Sequence, residues 1–338
     1  MNYKLIAVDT SKSVFTLHGI DEGDRVVLRG DRSRKQFQAF FAKQAPTEVV
    51  MEACGGSHHW ARTLGALGHR VKLIPPQYVK PFVRRGKNDR NDAEAICEAS
   101  LRPSMTYVPV KSAEQQAEAM IMRVRELLVR QRTQLVNALR GHATEFGKII
   151  GKGVTKVDSL LTLIAADEEI PPQAREMMCF LGQEIVHMNE RLDEIDAQIE
   201  ARHKSHPVSQ LLAEIPGIGP ITALTLATRV SPDQFESGRH FAAWLGLTPK
   251  QHSSGGKQRL GGISRQGNER LRQLLVVGAM AVIRFAKPGS KTASAWLLDL
   301  LNRRPRKVAA VALANKMARI AWAMMTSGEA YRKTPKAA

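Results

Sequence analysis

The chain has 338 residues, 43% of them hydrophobic, which gives room for about two or three domains with buried cores. Lysine and arginine number 50 against 32 acids, a formal net charge of +18; that excess argues against a small-metabolite enzyme and for a polyanionic partner, since neutralising a phosphate backbone releases counterions. No stretch approaches ~20 uncharged apolar residues, which speaks against a membrane span, and Cys54, Cys97 and Cys179 form no CxxC pair, which speaks against a disulfide framework or zinc ribbon and fits a cytoplasmic protein.

In chain order, Lys4 to Asp9 is a short apolar strand rather than the start of a signal peptide. Strand signals over Ser13 to Ile20 and Arg25 to Leu28 flank the turn Asp21-Glu22-Gly23-Asp24, so the three runs suggest a β-meander. Phe37, Phe40 and Phe41 stand at helical spacing, Glu48 to Glu52 is a fourth strand, Trp60, Leu64 and Leu67 mark a helix, and Arg70 to Ile74 is a fifth strand. That order is the order of an RNase-H-like fold, and a parallel crossover would set the fourth strand beside the first.

From Lys111 to His206 the chain turns into long charged helix. Ile185, Met188, Leu192, Ile195 and Ile199 step by three and four, a coiled-coil seam. A helix over Met120 to Leu139 could pack antiparallel on it, with Gly147 to Pro172 between; an internal hairpin and a dimerisation arm fit equally. From Pro207 the last third opens on Ile215-Pro216-Gly217-Ile218-Gly219-Pro220, followed by an apolar helix to Ala227, a basic glycine-rich segment from Lys250 to Arg270, a helix over Leu271 to Phe285 and a basic helical tail. These divisions place domains at 1–108, 109–205 and 206–338: α/β, helical coiled coil, and mainly helical.

Four acids stand out. Asp9 and Glu52 end the first and fourth strands, and if those strands are parallel neighbours both carboxylates emerge at one sheet edge. Asp89 and Asp92, three apart at a helix start, share a face. Singly, each also suits a turn cap, a solvated strand end or a helix N-cap. Together they would repel one another unless cations bridge them, and hard oxygen ligands suit Mg2+ or Mn2+, which can clamp a scissile phosphate. The Gly217 and Gly219 turn has the look of a helix-hairpin-helix element, whose backbone amides can meet a phosphate; a plain turn between core helices fits it equally. Ser253 and Ser254 lie in a basic turn with Lys250, Lys257, Arg259 and Arg265 near in sequence. Arg84, Arg85 and Lys87 add a basic run before the second acid pair. A basic loop that merely touches phosphates has the same composition.

The motifs Ala7-Val8-Asp9-Thr10-Ser11-Lys12, Met51-Glu52-Ala53, Asn88-Asp89-Arg90-Asn91-Asp92-Ala93, Ile215-Pro216-Gly217-Ile218-Gly219, Gly246-Leu247-Thr248-Pro249, Ser253-Ser254-Gly255 and Ile263-Ser264-Arg265-Gln266-Gly267, in this order, resemble the DEDD transposases of the "IS one-ten" group of bacterial insertion sequences, "IS eleven-eleven" branch. The resemblance spans nearly the whole chain. It implies an RNase-H-like (RuvC-like) domain, a coiled-coil insert and a C-terminal transposase domain. It also implies a metal-binding tetrad at Asp9, Glu52, Asp89 and Asp92, and a nucleophile at Ser254, with the adjacent Ser253 as the competing assignment. Further implied are cutting and rejoining of donor and target DNA through a phosphoserine, direction by a noncoding guide RNA, and a homo-oligomer, dimer or tetramer. Two other readings of the residues remain: a hydrolytic Holliday-junction-type nuclease, with the same acids but water as nucleophile, and a non-enzymatic DNA-binding protein.

Overall fold

The computed structural model describes residues 3–84, 86, 88–151, 153–290 and 293–332. The chain forms two compact units, Met1–Gln116 and Ala117–Ala338. The helical region and the last third, separate in the sequence reading, lie together in the second.

In the first unit β1 (Leu5–Thr10), β2 (Val14–Ile20) and β3 (Val26–Ser33) make an antiparallel meander; α1 (Arg34–Phe41), β4 (Glu48–Glu52), α2 (Ser57–Ala66) and β5 (Arg70–Ile74) follow, then the short α3 (Pro76–Val79) and α4 (Asp89–Ser100). One sheet holds the five strands in the order β3-β2-β1-β4-β5. β4 pairs in parallel with β1, Val8 opposite Met51, and β5 in parallel with β4. The fourth strand therefore lies beside the first, as the crossover rule requires. β3 runs on to Ser33, past the expected end at Leu28, because at a sheet edge the ladder to β2 and not an apolar run defines the strand.

Strand side chains alternate between faces. Ile6 and Val8 of β1, with Val49 and Met51 of β4, pack with Phe37, Phe41, Trp60 and Leu64 of α1 and α2. Leu5, Ala7 and Val50 point the other way and pack with Ala95, Ile96 and Ala99 of α4. The sheet is thus covered on both faces, by α1 and α2 on one and by α4 on the other.

The second unit begins along α5 (Ala113–Glu145) and continues through α6 (Val157–Ala166) and α7 (Pro172–Ser205). Arg125 bonds Asp196 (Nη2 to Oδ2, 2.9 Å) and Arg132 bonds Asn189 (2.9 Å), so numbers rise on one helix as they fall on the other. α5 and α7 are therefore antiparallel. The apolar seam of α7 is used inside the chain: Ile185 packs with Val136, Leu139 and α6, and Ile199 with Met122. Then come α8 (Pro207–Ala213), α9 (Pro220–Arg229), α10 (Gly238–Trp244), β6 (Pro249–Gln251), β7 (Leu260–Ile263), α11 (Glu269–Arg284), α12 (Ala295–Arg303) and α13 (Arg306–Ser327). The glycine-rich segment read as loop holds the β6–β7 hairpin; its turn chemistry, not an apolar pattern, makes it a strand pair. By length and composition α13 could cross a membrane, though Lys307, Lys316 and Arg319 interrupt its apolar residues. Its Ala309, Ala310, Ala314, Met317 and Ala321 are instead buried in the core of this unit with Leu271, Leu275 and Phe241, so its apolar character is that of a core helix.

Candidate active site

The acidic site follows from strand parity. Asp9 shares its face of β1 with Leu5 and Ala7, and Glu52 shares its face of β4 with Val50; Leu5, Ala7 and Val50 pack against α4. The parallel register then brings both acids to the same end of the sheet. Asn88 caps α4 by accepting from the amide of Asn91 (2.8 Å), which starts the helix at Asp89 and sets Asp89 and Asp92 in its first turn. Carboxylates are favoured there by the helix dipole, by about 0.3–1 kcal/mol each at exposed positions.

Carboxylate oxygens of Asp9, Asp89 and Asp92 all lie within 4.8 Å of one another. Burial raises the Asp9 carboxyl to about 6, with further upward pushes from Asp92, Asp89 and Glu52. Burial, then Asp92, also raises Glu52. All four acids therefore share one electrostatic field, while Glu52 stands outside the closest trio. An all-oxygen donor set of this size fits a hard divalent cation, and the mutual repulsion is what such a cation would relieve. Asp9, Asp89 and Asp92 would hold it, with Glu52 beside them.

Two features beside the acids escaped the sequence reading. The Thr10 hydroxyl and the Cys54 thiol lie 3.0 Å apart, tying the ends of β1 and β4 together just past Asp9 and Glu52. A groove of about 680 Å3 leads away from Asp89 between α4 and the meander, lined by His18, Arg29, Asp31, Arg90 and Glu94 among others. His18 is buried, and burial lowers its pKa. The signal was available: His18 shares the face of β2 that turns toward α4. Arg84 is exposed and pairs with Glu94 (3.0 Å); Arg85 and Lys87 lie outside the described residues.

In the second unit Gly217 and Gly219 behave differently. Gly217 has φ +92°, and a Cβ there would sit 2.8 Å from the carbonyl oxygen of Gly278 on α11. Its freedom is spent on helix packing. Gly219 is exposed, with nothing within 4 Å of an added Cβ, and precedes the first turn of α9 with no side-chain cap.

The β6–β7 hairpin closes on Ser254-Gly255-Gly256-Lys257, with Gly255 at φ +55° and Gly256 at φ +74°, the positive-φ pair of a type I′ turn. The Ser253 hydroxyl accepts from the Arg259 amide (3.2 Å). Among the described residues no hydrogen bond holds the exposed Ser254 hydroxyl. Lys250, Lys257, Arg259 and Arg265 are all exposed around it in sequence, Arg265 in a left-handed backbone at φ +58°.

Comparison with known proteins decides the family. Residues 6–147 match the DEDD transposase model of the IS110 group, and residues 209–294 match the model described as the transposase IS116/IS110/IS902 family. A putative transposase of Sinorhizobium fredii is 52% identical over 97% of this chain and 85% of its own. The chain belongs to the IS110 family of transposases. Within that family a probable family 20 transposase of Pseudomonas aeruginosa is 48% identical over 98% of this chain and 99% of its own. The transposase for insertion sequence element IS1111A of Coxiella burnetii is 41% identical over 97% and 91%. A transposase acts on DNA, and a net charge of +18 is of the sign that a phosphate backbone attracts. Asp9, Glu52, Asp89 and Asp92 lie inside the first matched segment, and the Ser254 hairpin lies inside the second.

Proposed function

We propose that this transposase cuts and rejoins DNA by transesterification, with Ser254 as the nucleophile and Asp9, Glu52, Asp89 and Asp92 as the metal-binding acids. The observation that carries the reading is the Ser254 hydroxyl: exposed at a hairpin tip, unbonded among the described residues, and flanked by cations, while Ser253 is tied to the backbone. The β3-β2-β1-β4-β5 order with α4 covering the acid-bearing face supports an RNase-H-like reading of the first unit. The antiparallel α5 and α7 support a coiled-coil reading of the second.

In the proposed step the Ser254 oxygen forms a bond to phosphorus and the phosphorus–oxygen bond to the deoxyribose breaks. The serine proton passes to a base and the departing oxygen gains a proton. A second DNA hydroxyl then attacks the phosphoserine, restoring the serine and a phosphodiester, so the bond energy is conserved without a nucleotide cofactor. A divalent cation, Mg2+ or Mn2+, would supply positive charge for the phosphate when bound at the acids. The exposed basic residues, Arg84, Lys250, Lys257, Arg259 and Arg265 with the open turn at Gly219, hold phosphates of DNA and of a guide RNA that selects the sequence; delegating selection to RNA removes the need for base-reading side chains.

The test is to incubate the protein with element-end DNA, guide RNA and Mg2+, denature it, and map any adduct. A phosphodeoxynucleotide on Ser254 is expected. Mg2+-dependent nicking with no adduct would replace this reading with hydrolysis, and retention of binding with neither would leave a DNA-binding protein. Mixing Ser254→Ala with Asp92→Ala protein asks whether the two chemistries come from one protomer or two: regained activity means two.

A further inference from the structure

A groove of about 1370 Å3 opens in the second unit between α13, α10, α12 and the β6–β7 hairpin. Trp296 and Trp322 line it, both half-buried, so each ring keeps a surface toward the opening. The Trp322 ring is held by its own N–H, which donates to the carbonyl of Pro232 (3.0 Å). Lys316 sits 4.6 Å over the Trp296 ring. Along one wall the hairpin contributes Pro249, Gly261, Gly262 and Ile263, and an added Cβ at Gly262 would meet nothing within 4 Å, so the wall is open at that point.

Its electrostatics are one-sided. Arg239, Lys307, Lys316 and Arg319 stand among the lining residues, and none of the lining residues is Asp or Glu. An apolar floor with two indoles, whose charged lining residues are all cations, is poorly suited to an aliphatic helix or an acidic peptide backbone alone. It suits a chain that alternates flat apolar faces with negative charges, which is single-stranded nucleic acid: bases stack on aromatic rings and phosphates meet the cations.

The hairpin says which strand. Five Cα steps lead from Pro249, at the groove, to Ser254, at the tip, a reach of at most ~18 Å of extended chain. A strand whose phosphate is offered to Ser254 is therefore within a few nucleotides' reach of the groove. We propose that the groove between Trp296 and Trp322 receives unpaired bases of the DNA strand being cut, extruded from the duplex beside the scissile phosphate. This rests on the assignment of DNA cutting to the Ser254 hairpin. Enzymes acting on one nucleotide commonly offset the cost of unstacking, a few kcal/mol, by stacking the extruded base on aromatic side chains.

The experiment uses the full chain and a short fluorescein-labelled oligothymidylate carrying one 5-iododeoxyuridine, with a duplex of the same length and an oligouridylate as further probes. Photocrosslinking should place the iodinated base on Trp296 or Trp322. Ala312→Trp, which fills the groove from its half-exposed floor, should weaken oligothymidylate binding about tenfold and leave duplex binding unchanged; tenfold is ~1.4 kcal/mol, within the ~1–3 of one stacked base. Arg319→Gln, a change at an exposed side chain, should weaken the same probe. Crosslinks confined to other segments, or oligothymidylate affinity equal in wild type and Ala312→Trp, would overturn the proposal. Oligouridylate binding more tightly with the same Ala312→Trp dependence would also overturn it and assign the groove to RNA. So would an Ala312→Trp protein whose only change is its oligomeric state, which assigns the groove to a second copy. Groove-dependent oligothymidylate binding by a protein that never forms a serine adduct would retain DNA in the groove while refuting the cutting reading, so the two fail separately.

Discussion

Ser253 and Ser254 are neighbours of identical chemistry, and one hydrogen bond distinguishes them. The Ser253 oxygen accepts from the Arg259 amide and is held against the hairpin, whereas no hydrogen bond among the described residues holds the exposed Ser254 hydroxyl. Ser254→Ala should abolish the covalent DNA adduct, while Ser253→Ala, which loses one exposed backbone contact worth about 0.5–1.5 kcal/mol, should keep a measurable share of it. Adduct from Ser254→Ala protein in a single-turnover assay would remove Ser254 as nucleophile. Asp9 yields a second residue-level test, with a definite sign. Its folded pKa of about 6 lies above the ordinary carboxyl value of 3.8, so between those pH values the folded state holds more protons than the unfolded one. Stability without metal therefore falls as pH rises through that window, and the penalty is complete above about 6. In EDTA, Asp9→Asn should melt higher than wild type at pH 7, and the gap should close toward pH 4; Mg2+ should raise the wild type at pH 7 and the variant much less. An Asp9→Asn protein that melts below wild type in EDTA at pH 7 would show that Asp9 is not held under repulsion. These residues were legible to different depths. Asp9 and Glu52 could be placed on one face by counting in twos from Ala7 and Val50. That Glu52 stands outside the trio could not, since it depends on where α4 packs.

Among the elements, the strands and their order were readable because apolar runs such as Ile6 to Val8 and Val49 to Met51 must be buried on both faces of a covered sheet. The β6–β7 hairpin was not, since its residues are exposed and carry no apolar period. Only Gly255-Gly256 marks it, and glycine pairs serve loops equally. The crossing of the Gly217 turn over α11 was hidden for another reason: Gly278 sits within a helical pattern and nothing in its own segment names its partner. In the structure a Cβ on Gly278 would lie 1.9 Å from the Gly217 carbonyl oxygen, backbone that cannot swing aside. Gly278→Ala should therefore lower stability by about 1–3 kcal/mol, the usual cost of overpacking, and Gly217→Ala should do likewise because it also strains φ. Gly219→Ala meets open space at φ −90° and should leave the melting temperature unchanged. Thermal melts of the three variants beside DNA-binding curves separate scaffold from contact: a loss of affinity by Gly219→Ala without a loss of stability marks the α9 entrance as a phosphate contact. A destabilised Gly219→Ala, with Gly278→Ala unaffected, would reverse these roles.

Across the whole molecule the governing quantity is charge. A formal +18 on 338 residues opposes compactness unless a polyanion offsets it. The acids already counted in that balance are unevenly placed: Asp9, Asp89 and Asp92 are gathered at one point and Glu48 is held by Arg70 and Lys72. Meanwhile Lys250, Lys257, Arg259 and Arg265 stand exposed along the hairpin segment, and Arg304, Arg306 and Lys307 at the start of α13. Cations spread over exposed surface bind phosphates through counterion release, so affinity should fall linearly on a log–log plot against salt, by about 0.9 per neutralised phosphate for duplex DNA and 0.7 for single strands. Removing the acids should leave that slope alone, because Asp9→Ala and Asp92→Ala delete ion ligands and no cation; affinity without metal should hold or rise as repulsion of the phosphate is lost. Lys257→Gln with Arg259→Gln should instead lower the slope by up to about 2 for duplex, one unit per lost contact. Titrations of salt on wild type, an acid variant and the double hairpin variant measure all three. A flat wild-type slope would mean that the net charge serves no backbone contact, and an unchanged slope in the hairpin variant would move the DNA path away from Ser254.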